Sequence, residues 1–304
     1  MKNIIIFTAP RSGSGLLTKI ISDAPNTINL AEFFSAGRAH VGKHLNNYIE
    51  YIRQGHIAGL EAYKPLMEKL AKLDTHNLSC VNTISQYLNI NILKLYLEFK
   101  GNPNFILKIF QSHYTDDNQI DIYQLIDMFD VMIILYRENL LEHYISFERA
   151  METKVWFKHN KKYQSSQINP GWWRVGAANI KQNKSYDNKT KIKWDKIKYI
   201  KYCNKLNRSY HNYNKILANI NKPTIVIRYE DLNKQKDKYQ YVQSILDHNN
   251  IDHKLIHSNE DPLAKQSVEG FPIEDNFLNK QQFIKEFMED TDDIPKKLQF
   301  RLGE

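Results

Sequence analysis

Residues 4–17 read IIIFTAPRSGSGLL: a β-branched apolar run, a turn of glycine and serine around one arginine, then a leucine pair. A continuous apolar run of this length suits a strand buried on both faces, as in a parallel sheet. Pro10 marks the exit, Gly13 and Gly15 allow unusual backbone angles, and Leu16 and Leu17 begin a helix. Successive N–H groups in such a turn point into one concavity, and the helix terminus adds partial positive charge. Arg11 can fork onto anionic oxygens, while Ser12 and Ser14 can donate hydroxyls. The turn therefore suits a phosphate- or sulfate-like group. The competing reading is a plain strand–helix turn whose glycines serve packing. A nucleotide-triphosphatase loop needs GxxxxGK followed by Ser or Thr, and no such triplet end occurs in the chain.

Outward from this turn, strand-like runs recur at 3–8, 105–110, 131–136 and 224–229. Helical stretches fall at 15–23, 43–54, 61–73, 82–100, 120–128, 139–152, 194–219, 238–249 and 280–289. The alternation predicts an α/β fold of three layers, P-loop-like, with a central parallel sheet flanked by helices. The 304 residues, 42% hydrophobic, suffice for a single domain spanning 1–304. Residues 154–193 read as a variable insertion or lid carrying NPGWW at 169–173.

Net charge is +8, and the excess is local: 154–215 hold 16 Lys or Arg against Asp187 and Asp195. Lysines interleaved with Trp156, Trp172, Trp173 and Trp194 can signal nucleic acid or an acidic glycan. For 194–217, an amphipathic helix burying Ile, Tyr and Leu against the sheet is the preferred reading. The two cysteines, Cys80 and Cys203, form no metal-type spacing. With a strand starting near Asn3, the sequence predicts a soluble cytoplasmic protein without a membrane anchor; it leaves a homodimer open.

A second anchor lies at 130–151, DVMIILYRENLLEHYISFERAM, where Arg137 follows a buried run and Ser146 and Arg149 share a face of the next helix. Ligands of open α/β sheets sit at the carboxyl ends of strands, so Arg11 and Arg137 should point into one crevice. Two cationic clamps suit a ligand with two separated anionic groups. The alternative is that Arg137 pairs with a surface acid and Ser146 faces solvent.

PRSGSGLL (10–17) resembles the 5′-phosphosulfate loop of sulfotransferases. ILYRENLLEHYISFERA (134–150) resembles their 3′-phosphate segment, PTIVIRYEDL (223–232) their late strand, and AKQSVEGFPIEDNFLN (264–279) a stretch that closes over the nucleotide. The likeness is greatest to bacterial carbohydrate sulfotransferases, including the trehalose 2-sulfotransferase type. It implies 3′-phosphoadenosine 5′-phosphosulfate as donor, with Arg11, Ser12, Gly13, Ser14 and Gly15 at its 5′ end. Arg137, Ser146 and Arg149 would hold its 3′ end, and Lys265 and Gln266 would close over it. Gly15 stands where the family usually has Thr, which removes a hydroxyl but leaves the backbone cradle.

Sulfuryl transfer needs in-line geometry, neutralised charge and a base for the acceptor's proton. Glu32, in NLAEFF, is the first candidate base; the resemblance puts a functional Glu there. His113 is the rival, since the cytosolic branch of the family uses a His after a comparable strand. Lys108, inside FILKIF, would be buried unless it reaches an anion, which favours the sulfuryl or bridging oxygens. No metal is expected, because arginine, lysine and the helix terminus can neutralise charge. The expected acceptor is a hydroxyl of a sugar or glycolipid, with no nucleic acid as partner. A P-loop kinase-like phosphotransferase and a non-catalytic polyanion binder acting through 154–215 are the alternatives.

Overall fold

The computed structural model describes residues 2–32, 90, 93, 94, 97, 101–115, 120–153, 190–256, 272–289, 294–298 and 300. Five strands form one all-parallel sheet: β1 (Ile4–Thr8), β2 (Thr27–Ala31), β3 (Asn104–Ile109), β4 (Val131–Tyr136) and β5 (Thr224–Arg228). Their spatial order is β2-β3-β1-β4-β5. The chain leaves β1 toward one edge and β4 toward the other, so these two neighbours flank the topological switch point where α/β sheets bind ligands.

Side-chain alternation explains the layers. Ile4 and Ile6 of β1 join Ile106, Val131, Ile133 and Leu135 in one core cluster, facing Leu17, Ile20 and Ile21 of helix α1 (Ser14–Ser22). Ile5 and Phe7 join Leu107, Ile109, Met132 and Ile134 in a second cluster on the other face. Leu125 of α3 (Ile122–Asp127) and Tyr144 of α4 (Leu140–Thr153) cover that face; Tyr210 of α5 (Lys196–Leu217) joins them there. Short helix α2 (Ser112–Thr115) follows β3, and α6 (Tyr229–Lys234) and α7 (Lys238–His248) follow β5. A 3-10 turn (Ile273–Asn276), helix α8 (Lys280–Phe283) and a π-helical turn (Ile284–Glu289) follow in the last described part of the chain.

Four strands and most helices match the sequence reading within two residues. Three differences stand out. β2, which ends just before Glu32, is not among the four strand-like runs; YEDLNK forms a helix directly after β5; and 284–289 widens into a π turn. The helices expected at 43–54 and 61–73 lie outside the described residues, as does most of 82–100. The amphipathic helix expected at 194–217 is α5, which buries Tyr199, Leu206, Tyr210, Tyr213 and Leu217. No described helix is long and apolar enough to cross a membrane.

Candidate active site

The turn after β1 is built on two left-handed residues, Arg11 at φ 73 and Gly13 at φ 82. Gly13 has no alternative: a Cβ there would sit 2.2 Å from Cδ2 of Tyr229. Its carbonyl accepts the N–H groups of Leu16 and Leu17, which starts α1. The N–H groups of Gly13, Ser14 and Gly15 have no backbone acceptor among the described residues, as expected at a helix N-terminus. Their position fits an anion. Ser14 is buried beside them. The Ser12 side chain is placed differently from the expectation. It is fully buried, its Oγ 3.2 Å from His143 Nε2 and 3.4 Å from the Tyr210 hydroxyl. Its hydroxyl thus braces the turn from below.

Arg137 stands at the tip of β4, beside β1, and is 7% exposed. It pairs with Glu142, so the acid-pairing alternative holds in part. Its guanidinium also lies 4.9 Å from the Tyr229 ring centroid, and its buried Nε has no hydrogen-bond partner among the described residues. Tyr229 therefore touches both anchors: its ring lies against Gly13 and also against the Arg137 guanidinium.

The rest of YEDL supports the same turn. Glu230 accepts the N–H groups of Glu138 and Asn139 at 3.1 and 3.0 Å, fixing the chain just after Arg137. Arg228 forks onto Asp231 at 2.9 and 2.7 Å and reaches Glu138 at 2.9 Å. This hydrogen-bonded guanidinium holds the Asp231 carboxyl below its usual range. Both carboxylates are thus engaged by the protein itself.

Helix α4 carries the next contacts. Ser146 Oγ accepts a hydrogen bond from Arg11 Nε at 3.0 Å, so it meets the turn after β1 and does not simply face solvent. Arg149 corrects the expectation of a shared ligand face. Its Nε donates to the Thr190 carbonyl at 3.0 Å and its Nη2 to the Asn276 side chain. Helical spacing placed the two Cα positions correctly, but the long side chain turns to another part of the fold. His143 was missed from the sequence; its Nε2 lies 2.8 Å from the Pro10 carbonyl.

At the other side of β1, Lys108 of β3 and Glu32 form an ion pair of 3.0 Å, with side chains 5% and 3% exposed. The pairing register explains the meeting. Asn29 pairs with Ile106, yet Ala31, two residues on, pairs with Leu107. This bulge brings the next residue, Glu32, level with Lys108. The anion that the lysine within FILKIF reaches is thus a carboxylate of this chain. Lys108 Nζ also lies 5.7 Å from the Phe110 ring centroid. His113 is buried on α2, and its Nδ1 accepts the Phe110 N–H at 3.2 Å. A neutral imidazole with that acceptor carries its proton on Nε2. Lys265, Gln266 and residues 154–189 lie outside the described residues.

A sequence model described as Stf0 sulphotransferase matches residues 3–271. The chain belongs to the Stf0 sulphotransferase family. No curated protein and no solved structure matches it. As a Stf0 sulphotransferase, the protein is an enzyme that transfers a sulfuryl group to a hydroxyl-bearing acceptor. The residues present suit a donor with two anionic ends: a glycine cradle under a helix N-terminus, and a buried arginine with an unspent donor.

Proposed function

We propose that this sulfotransferase uses 3′-phosphoadenosine 5′-phosphosulfate and sulfates a hydroxyl of a carbohydrate or glycolipid, with Glu32 as general base. The supporting observation is the convergence at neighbouring strand ends. The turn carrying Arg11, and Arg137, follow β1 and β4, share Tyr229 and α4 as supports, and lie near the strand that carries Lys108. The donor, when bound, supplies the sulfuryl group and an anionic leaving oxygen.

The chain's own residues do the remainder. The N–H groups of Gly13, Ser14 and Gly15, with Arg11, hold the 5′ end, and Arg137 with Ser146 holds the 3′ end. Lys108 holds the Glu32 carboxylate in place through the ion pair, and a carboxylate is the form able to take a proton. An oxygen of the Glu32 carboxylate accepts the acceptor hydroxyl's proton. That neutralises one half of the ion pair and leaves the Lys108 ammonium to offset charge growing on the leaving oxygen. The proton position on His113 favours Glu32 over it, because Nε2 of that tautomer is a donor. The sugar acceptor rests on the family resemblance, and we assign acceptor contact to the variable segment 154–193 of a single domain. A cytoplasmic location belongs to the same proposal and accords with the buried, free Cys203 thiol.

Isothermal titration with 3′-phosphoadenosine 5′-phosphate tests the donor site. Arg11→Ala and Arg137→Ala should each weaken binding by about tenfold or more. Glu32→Gln should bind this product like the parent yet lose transfer. Parent-like binding by both arginine variants would place the donor elsewhere, and retained transfer in Glu32→Gln would move the base to His113.

A further inference from the structure

We propose that His143 is the positioning residue that holds the 5′ loop in its anion-binding shape. The inference rests on the donor-site reading above and adds a residue that touches no ligand. It starts from Arg11, which adopts φ 73 although it carries a Cβ. The left-handed region costs such a residue about 1–2 kcal/mol, so the surrounding structure must hold it there.

The holding contacts bracket Arg11 on both sides, and His143 makes two of them. On the N-terminal side its Nε2 lies 2.8 Å from the Pro10 carbonyl. Because a carbonyl only accepts, Nε2 bears the proton. On the C-terminal side the same nitrogen lies 3.2 Å from Ser12 Oγ. Tyr210 donates its own hydroxyl hydrogen to the Leu135 carbonyl at 2.9 Å, so its oxygen is open to the Ser12 hydroxyl. The chain of donors therefore has one direction, ending on the Pro10 carbonyl in the turn and the Leu135 carbonyl near the end of β4. One turn along α4 from His143, Ser146 accepts from the Arg11 side chain. Residues 10, 11 and 12 are thus gripped in sequence by one face of one helix.

The choice of a neutral ring follows from its surroundings. His143 is 1% exposed and faces Arg137 and Arg11, with the ring of Tyr202 5.8 Å away. A third positive charge from Lys or Arg would be repelled there. Burial and the two guanidinium groups push the His143 pKa down to about 3, although the Pro10 carbonyl opposes this. The ring is therefore a proton donor of fixed form at any working pH. Its Nδ1 has no hydrogen-bond partner among the described residues, so its whole polar function is spent on the loop. Since α4 also begins just after Arg137, the two anion anchors are set by one strand–helix unit.

The test compares three variants by titration with 3′-phosphoadenosine 5′-phosphate, by thermal unfolding and by donor and acceptor KM. His143→Phe keeps the ring volume but removes the donor. It should fold, bind the nucleotide about tenfold more weakly or worse, and raise donor KM with acceptor KM unchanged. His143→Gln places an amide N–H near the Nε2 position and should stay within about threefold of the parent. His143→Asn is too short to reach Pro10 and should resemble the Phe variant. Should His143→Phe fail to fold, the Gln and Asn pair still decides: equal affinities overturn the proposal. A folded His143→Phe with parent affinity also overturns it. A parent protein that does not bind the nucleotide overturns the donor-site reading and this proposal together.

Discussion

At the tips of β2 and β3, one lysine and one glutamate meet with side chains 5% and 3% exposed. At the tips of β4 and β5, Arg228, Glu138 and Asp231 share charge while each is about a third exposed, and Arg137 alone is buried. The two regions handle charge by different physics. A dry pair is costly to desolvate, and losing one partner strands the other in a low-dielectric site. A wet web gains little from any one link and tolerates losing one. The proposed base thus sits where charge is compulsory and geometry narrow. The proposed 3′ anchor sits where the surroundings can adjust around one buried arginine.

The largest expected effect breaks the dry pair. Lys108→Met should cost about 3–5 kcal/mol in urea unfolding, because Glu32 is left buried with its ion partner gone. Pairing it with Glu32→Met should restore most of that loss. A single-variant loss under about 1 kcal/mol would show that water reaches the pair, and the contrast between the regions would fall.

A smaller effect probes the seam between them. Gly13→Ala combines the φ 82 penalty with a collision against the Tyr229 ring, and should cost about 2–3 kcal/mol in thermal unfolding. Adding Tyr229→Ala should relieve the collision but not the backbone penalty. Full recovery would mean that the left-handed angle carries no cost here.

Titration sharpens the comparison most gently, as a slope. Unfolded His143 binds its proton near pH 6.5, whereas the folded residue binds it only near pH 3. Between these values the unfolded chain holds more protons, so stability rises with pH. The contribution is complete above pH 6.5 and is lost as pH falls through the window, by up to about 1.4 kcal/mol per pH unit. His253, whose pKa burial also lowers, adds in the same direction. Unfolding free energies of His143→Gln across this range should show a shallower slope than the parent.

The sequence exposes what is local and periodic. β1 and β4 are legible because both their faces are buried, so all but their last residues, Thr8 and Tyr136, are aliphatic or Phe or Met. Arg11, Gly13, Arg137 and Ser146 are legible because a strand end, a turn and a helix start each leave a short signature. Contacts between distant segments leave none. His143 is 133 residues from Pro10, and Tyr213, which donates to the Thr8 carbonyl at 2.7 Å, is 205 residues from it. Both read as ordinary members of amphipathic helices. Arg149 shows the opposite failure: its helical phase was right, but a long flexible side chain chose Thr190 and Asn276. The strand-like run stops at 229, and only the family resemblance made YEDL its ending; the helix there carries Glu230 and Asp231 in its first turn, which its N-terminal dipole favours.

The bulge in β2 has a consequence for how this site can change over time. Side chains along a strand alternate between faces, so the same residues paired without the bulge would carry Glu32 one position beyond Lys108. The carboxylate would then lie about 3.3 Å past the lysine and point toward the opposite layer. The bulge ahead of position 32, as much as the acid standing there, decides whether the proposed base and the lysine meet at one spot.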